Sequence, residues 1–147
     1  MGYPTVALAA LLTSLPNAPV SADEAKVPDA LPGVWALVST EDASRTDRGD
    51  DNCRMTIRPD GDVVLKIGEL TTNTGKIVAA RADNANHIDF KFKTGVVLGV
   101  YERQGDRLVI CCDREANGRP TSLRPKGTQW RETWRIVREL ARPCVQP

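Results

Sequence analysis

His87 and Asp89, two residues apart in the sequence, are the strongest candidates for acid–base chemistry. Alternate residues of a β-strand point to the same face, so this imidazole and carboxylate could act as a general base and its orienting partner. The sequence pattern identifies no nucleophile that would work with them. We therefore expect no catalytic residues, and we interpret the pair as an exposed polar face opposite Ile88 and Phe90.

Four cysteines form the second group with chemical potential: Cys53, Cys111, Cys112 and Cys144. An even number of cysteines fits an oxidising compartment, where they could form disulfide bonds in any of three connectivities. Cys111 and Cys112 are neighbours in an apolar run, so on a strand one should face the core and the other outward. Zinc is disfavoured because the chain has no C-x-x-C and its one histidine lies elsewhere. We expect no metal and no cofactor.

Two charged segments could bind ions. A loop late in the chain carries Arg114, Arg119 and Arg124, and guanidinium groups bind phosphate or carboxylate in a bidentate manner. The interpretation we favour is that an arginine ties this loop to the acidic segment 41–62. Within that segment, residues 47–52 offer oxygen ligands for calcium but lack the spacing of an EF-hand, so we interpret them as a solvated loop.

The overall charge excludes one class of partner. Twenty basic and nineteen acidic residues leave a net charge of +1 over 147 residues. A dedicated nucleic-acid-binding protein would be strongly basic, so we expect no nucleic-acid partner. The length suits a single domain with one core.

The beginning of the chain predicts export. Residues 6–15 (VALAALLTSL) are an apolar run of signal-peptide length, and Val20-Ser21-Ala22 offers small residues where a signal peptidase cleaves. The run is too short to span a bilayer, which takes about 20 apolar residues. We therefore expect an exported protein, periplasmic or extracellular, whose mature chain has no transmembrane segment. The predicted organisation is a signal peptide over 1–22, a leader over 23–32, a folded domain over 33–140 and a tail over 141–147.

Strand patterns separated by turns recur through the domain. In the turn Pro59-Asp60-Gly61-Asp62, proline restricts one dihedral angle and glycine accepts a positive φ, and Gly105 is expected to play the same part in a later turn. Seven short strands at this spacing favour an antiparallel barrel or sandwich. The predicted strands are 34–39, 53–58, 63–67, 76–81, 87–92, 96–102 and 107–112.

The segment 127–140 fits two periods. Trp130 and Trp134 have helical spacing, whereas Trp134, Ile136 and Arg138 fit one face of a strand. A sheet of seven strands has two unpaired edges that an eighth strand could close. We therefore predict a strand over about 132–139 and an all-β fold, an antiparallel barrel of about eight strands. An amphipathic helix in this segment is the alternative.

Trp35 and Tyr101 are predicted to lie in the core, because burial of a tryptophan contributes at most roughly 4 to 6 kcal/mol. Aromatic residues make up only 5% of the chain. Cavities for apolar ligands are commonly rich in aromatic side chains, so this low content favours a filled or narrow interior.

Gly33-x-Trp35 followed by a late arginine resembles the lipocalin arrangement, in which the tryptophan plugs the barrel base and the arginine packs over it. The resemblance implies Arg131, Arg135 or Arg138 as that arginine, and we select Arg135 as the structural residue.

A longer resemblance covers residues 31–139 and rests on five segments in a fixed order. The segments are Leu31-Pro-Gly-Val-Trp-Ala-Leu-Val-Ser, His87-Ile-Asp-Phe, Gly99-Val-Tyr-Glu, Gly105-Asp-Arg-Leu-Val-Ile-Cys and Arg119-Pro-Thr-Ser-Leu. Together they resemble a planctomycete family of small secreted lipocalin-like domains for which no biochemical activity is established. The resemblance implies a barrel and export, and supplies no reaction.

We therefore expect a non-enzymatic, exported barrel that binds a small molecule of unknown identity. The alternative is a structural or protein-interaction domain of the cell envelope, which would contact an envelope protein through its acidic and basic surfaces.

Overall fold

The computed structural model describes residues 27–82, 84–113 and 118–138. The predicted signal peptide, the first residues of the leader and the C-terminal tail with Cys144 lie outside these ranges. Within them the chain forms β-strands and no helix, which confirms the predicted all-β class. The strands are β1 (Gly33–Asp42), β2 (Thr46–Arg48), β3 (Cys53–Ile57), β4 (Asp62–Ile67), β5 (Leu70–Ala82), β6 (Ala85–Phe92), β7 (Gly95–Gln104), β8 (Arg107–Asp113) and β9 (Gln129–Ile136).

These strands make one antiparallel sheet that closes on itself. From β3 to β9, each strand pairs with the next along the chain. β1 closes the ring because it pairs with β3 on one side and with β9 on the other. The short β2 pairs with the end of β1. The predicted barrel of about eight strands is confirmed, and its last element is a strand and not a helix.

The differences between predicted and observed strands follow from local composition. β5 begins at Leu70, well before the predicted start at Lys76. Its first residues are mostly polar (LTTNT) and show no apolar alternation, yet they pair with β4 in a hairpin. Pairing with an already placed neighbour therefore overrides a weak local pattern.

Inward-facing residues of all the barrel strands form one core. Its largest fully buried side chains include Trp35, Met55, Ile57, Ile88, Leu108 and Ile110. Trp35 is 0% exposed, which confirms its predicted place in the core. Tyr101 is half-buried and packs against the edge of this core. Burial raises the pKa of its hydroxyl group.

The alternating strand directions define two ends of the barrel. The β3–β4, β5–β6 and β7–β8 turns lie at the end where β1 begins, which we call the plugged end. The β4–β5 and β6–β7 turns and the β8–β9 loop lie at the opposite end, which we call the far end. The glycines of the plugged-end turns adopt positive φ as expected, 91° at Gly61 and 55° at Gly105.

Residues 27–32, expected to be part of a leader, belong to the plugged end. Leu31 is 0% exposed, and its carbonyl oxygen accepts a hydrogen bond of 3.0 Å from the indole Nε1 of Trp35. The Arg103 guanidinium lies 4.7 Å from the centre of the Trp35 ring and also donates to the carbonyl oxygen of Ala30. This segment and the arginine together close the barrel over Trp35.

The arginine over Trp35 is therefore Arg103, and the assignment to Arg135 was wrong. Arg135 is exposed, because it alternates along β9 with the inward-facing Trp134 and Ile136. The two other candidates also have other partners: Arg131 pairs with Glu41, and Arg138 pairs with Asp106. β7 ends at the plugged end, so Arg103 is the residue that can reach the tryptophan.

Candidate functional site

The inward face of β9 carries a carboxylate between two tryptophans. Oε1 of Glu132 accepts a hydrogen bond of 3.0 Å from Nε1 of Trp130, and Oε2 accepts one of 3.1 Å from Nε1 of Trp134. The three residues alternate along the strand, so they share one face. Trp134 is 2% exposed and belongs to the core, whereas Trp130 and Glu132 are half-buried. The Glu132 carboxylate is therefore fixed on one side by a buried tryptophan, Trp134, while Glu132 itself remains partly accessible to solvent.

Two thiols lie within the electrostatic reach of this carboxylate. Burial, and then the negative charge of Glu132, raise the pKa of Cys53 on β3. The same two causes raise the pKa of Cys112 on β8 well above its ordinary value. Both groups are therefore thiols and not thiolates near neutral pH. The carboxylate, the two indoles and these thiols form what we call the Glu132 cluster.

Gly99 on β7 makes room for one member of this cluster. A Cβ atom at residue 99 would lie 2.8 Å from Sγ of Cys112 and 2.9 Å from the carbonyl oxygen of Cys111. Real side chains do not approach that closely, so the inward position of Cys112 depends on a residue without a side chain opposite it.

Several partly buried apolar side chains pack against the core in the half of the barrel nearer the far end. They are Leu37, Leu65, Phe92, Val97 and Trp130. A small number of fixed polar groups within a mainly apolar surface is the usual composition of a small-molecule site.

Arg119, a predicted anion-binding candidate, has a structural role. Its Nη1 lies 2.6 Å from Oδ1 of Asp89, and it donates a hydrogen bond of 2.7 Å to the carbonyl oxygen of Gly99. The side chains of Arg119 and Asp89 are 2% and 0% exposed. The pair holds the β8–β9 loop against β6 and β7, and the next residue of the loop, Pro120, is fully buried.

This ion pair corrects two expectations. The loop arginine does tie the loop to the barrel, but its partner is Asp89 and not the acidic segment 41–62. Asp89 was expected on an exposed polar face; the loop covers it completely, while His87 is half-buried. The reason is tertiary, because the outward face of β6 becomes interior once a distant loop lies over it. Arg124 is exposed, and Arg114 lies outside the described residues.

The described cysteines carry no disulfide bond. Cys53, Cys111 and Cys112 are free thiols, and Cys144 lies outside the described ranges. Cys112 joins the core, whereas Cys111 lies on the other face of β8 as expected. Cys111 is nevertheless 0% exposed, and burial raises its pKa to about 11.

Residues 45–52 of the acidic segment are organised by short-range contacts. A carboxylate oxygen of Asp50 accepts a hydrogen bond of 2.8 Å from the backbone N–H of Asn52, and Asp47 pairs with Arg45 at 2.9 Å. Across the ranges that the structure describes, no three histidine, cysteine or acidic side chains come together in a way that could hold a metal ion.

Sequence reasoning missed the Glu132 cluster, although a signal was present. Trp130-x-Glu132-x-Trp134 places an acid between two large aromatics at the period of a strand. An acid at a core-facing position is unusual and marks a candidate site. The helical spacing of the same two tryptophans concealed it.

Comparison with protein-family models, with curated proteins and with solved structures gives no match. In the part of the chain that the structure covers, no helix has the length and apolar character needed to cross a membrane.

Proposed function

We propose that this protein is an exported, non-enzymatic barrel that binds a small molecule at its far end, at the Glu132 cluster. The observation that carries the proposal is the pair of hydrogen bonds, 3.0 Å and 3.1 Å, that fix the Glu132 carboxylate between Trp130 and Trp134. The opposite end is closed by Leu31, Trp35 and Arg103, so the ligand would approach from the far end.

The energetic cost of the carboxylate supports a binding role. Removing an ionised group from water is unfavourable, and an apolar residue at a core-facing strand position would stabilise the barrel more simply. The hydrogen bonds that hold Glu132 between the two indoles are explained if the carboxylate orients a ligand. The ligand expected has an apolar body that packs on Trp130, and a group that donates hydrogen bonds to the carboxylate.

Export and family membership belong to the same proposal. The signal-like first 22 residues and the resemblance to small secreted lipocalin-like domains both support an exported binding protein. The thiols near Glu132 support a non-enzymatic role, because burial and the neighbouring charge keep them protonated.

Native mass spectrometry of the exported, unreduced protein tests the proposal. We expect a retained small molecule in the wild-type protein and its loss in Glu132→Gln, which removes the charge and keeps the shape. Glu102→Gln is the matched control, since Glu102 lies on β7 near the plugged end, and it should retain the ligand.

Intrinsic fluorescence gives a second measurement on the same proteins. In a Trp35→Phe background, emission comes from Trp130 and Trp134 alone, so an extract that contains the ligand should shift or quench it. The proposal would be contradicted if no ligand is retained in the native mass spectra and no extract changes the fluorescence. Equal retention in wild type and Glu132→Gln would place the site elsewhere.

A further inference from the structure

A basic depression lies where β6 ends beside the longer β4–β5 hairpin. It encloses about 520 Å³ and is lined by residues of the β3–β4 turn, β4, β5 and the end of β6. Arg58, Lys76, Lys91 and Lys93 contribute four positive charges to its lining, against one acid, Asp62. The whole chain has a net charge of only +1, so positive charge is concentrated here.

Most of this charge is available to a partner. Lys76 forms an ion pair with Asp62, which raises the pKa of the lysine and lowers that of the aspartate. Among the residues that the structure describes, Arg58, Lys91 and Lys93 have no ion-pair partner. Three of the six lysines of the chain line this one depression, and Lys66 is exposed on the neighbouring hairpin.

Exposed aliphatic side chains occur on the two hairpins that flank the depression. Among the described residues, the large hydrophobic side chains with high exposure are Ile67 at 51%, Leu70 at 69% and Val96 at 42%. Ile67 and Leu70 are cross-strand partners at the tip of the β4–β5 hairpin. Val96 follows the β6–β7 turn and pairs with Lys91, which lines the depression.

We propose that the face formed by the β4–β5 and β6–β7 hairpins, together with the depression beside them, docks on an anionic lipid surface. The aliphatic tips enter the boundary between headgroups and acyl chains, and the lysines face the lipid phosphates, a combination typical of proteins that lie on membranes. Charge complementarity selects an anionic bilayer.

Glu69 stands between the two aliphatic residues of the β4–β5 tip and opposes this attraction. Lys66, one position before Ile67, balances that charge. The remaining basic residues of the depression then give the surface its positive sign. The inference goes beyond ligand binding, because no part of it depends on the Glu132 cluster.

Vesicle flotation of the purified mature protein tests the inference. Vesicles of phosphatidylcholine mixed with phosphatidylglycerol should carry the protein at low ionic strength, and binding should weaken at high ionic strength. Vesicles of phosphatidylcholine alone should carry little. Lys91→Gln/Lys93→Gln should lower the partition coefficient about 30-fold, at roughly 1 kcal/mol for each lysine near the surface.

Two further variants make the result specific. Ile67→Ser/Leu70→Ser should lower the partition coefficient about tenfold or more, because the apolar surface at the tip is lost. Arg107→Gln/Arg135→Gln is the control, because it removes two positive charges, as the lysine variant does. These two arginines are exposed cross-strand partners on β8 and β9, on the opposite side of the barrel. Their replacement should change the partition coefficient by less than about threefold. Thermal unfolding checks that each variant folds.

Three outcomes would overturn the inference: no flotation with anionic vesicles at low ionic strength, equal flotation with neutral vesicles, or an equal loss in the Arg107 and Arg135 control. Crosslinking of this surface to an envelope protein without flotation would also overturn it. Ligand retention in the native mass spectra is measured separately, so failure of docking and failure of ligand binding are distinguishable.

Discussion

The two ends of this barrel each place tryptophan beside a charged side chain, and they do so in opposite ways. At the plugged end, the cation of Arg103 covers the fully buried ring of Trp35. At the far end, the anion of Glu132 accepts hydrogen bonds from the indole edges of Trp130 and Trp134. The first arrangement covers apolar surface, whereas the second presents a charge.

The contrast separates the part of the molecule that supplies stability from the part proposed to bind a ligand. Trp35 is held by the leader, by a backbone carbonyl and by an arginine, all of which contribute to closure. The Glu132 cluster keeps a carboxylate half-exposed at a position where an apolar residue would pack. Substitutions should therefore reduce stability at the plugged end and change local chemistry at the far end.

The largest effect is expected at Trp35. Trp35→Ala should lower the free energy of unfolding by about 3 to 5 kcal/mol, because it leaves a cavity in the closed core. Trp130→Ala should lower it by only about 1 kcal/mol, since its ring is half-buried. Urea unfolding measures both. Equal losses would remove the distinction between the two ends.

The next effect concerns the loop that covers β6 and β7. Arg119→Met removes the guanidinium from the buried Asp89 carboxylate and should destabilise by about 3 kcal/mol. The double variant Asp89→Leu/Arg119→Met should recover most of the loss, because neither charge then remains. If the double variant unfolds as easily as the single one, the loop is held chiefly by other contacts.

A smaller and local effect is expected at the Glu132 cluster. Glu132→Gln should lower the pKa of the Cys53 thiol, since the carboxylate is the largest charged cause that raises it. Alkylation of Cys53 by iodoacetamide at mildly alkaline pH, followed by peptide mass spectrometry, should become faster. Asp50→Asn should act in the same direction more weakly, because Asp50 raises the same pKa to a smaller extent. An unchanged rate in Glu132→Gln would contradict the proximity of these groups.

The smallest effect involves Asp42, where β1 ends. Hydrogen bonds from the side chain and backbone of Ser44, and from the backbone of Arg45, lower its pKa from 3.8 to about 2. A pKa lowered on folding contributes stability above the unfolded value, and that stability is lost as the pH falls from about 4 towards 2. NMR titration of the carboxyl carbon should report the low pKa. Asp42→Asn should flatten the stability profile only within this acidic window.

Much of the fold was predictable because it follows from short-range patterns. Turns such as those at Gly61 and Gly105 separate the strands. Within a strand such as His87–Phe92, apolar and polar residues alternate, and this alternation indicates a strand without any knowledge of its neighbours. The eighth strand was predictable from the need to close two sheet edges. The polar beginning of β5 and the three-residue β2 were not, because their pairing depends on neighbours placed by the rest of the sheet.

The candidate site was predictable only in part. Trp35 was expected in the core, but Arg103 was not expected above it, since the proximity of β7 to the first strand is a property of the closed barrel. Asp89 was expected in solvent, and only the covering loop makes it a buried partner of Arg119.

Dihedral preferences and alternation act over a few residues, so the sequence alone was enough to predict most of the strands, their turns and their closure into one sheet. The partners of the charged side chains became known only from the folded chain: Arg103 with Trp35, Arg119 with Asp89, and Glu132 with two indoles of its own strand at the far end. Such contacts depend on the register and tilt of a closed sheet and on the path of its loops. They bring together residues that local patterns treat as independent.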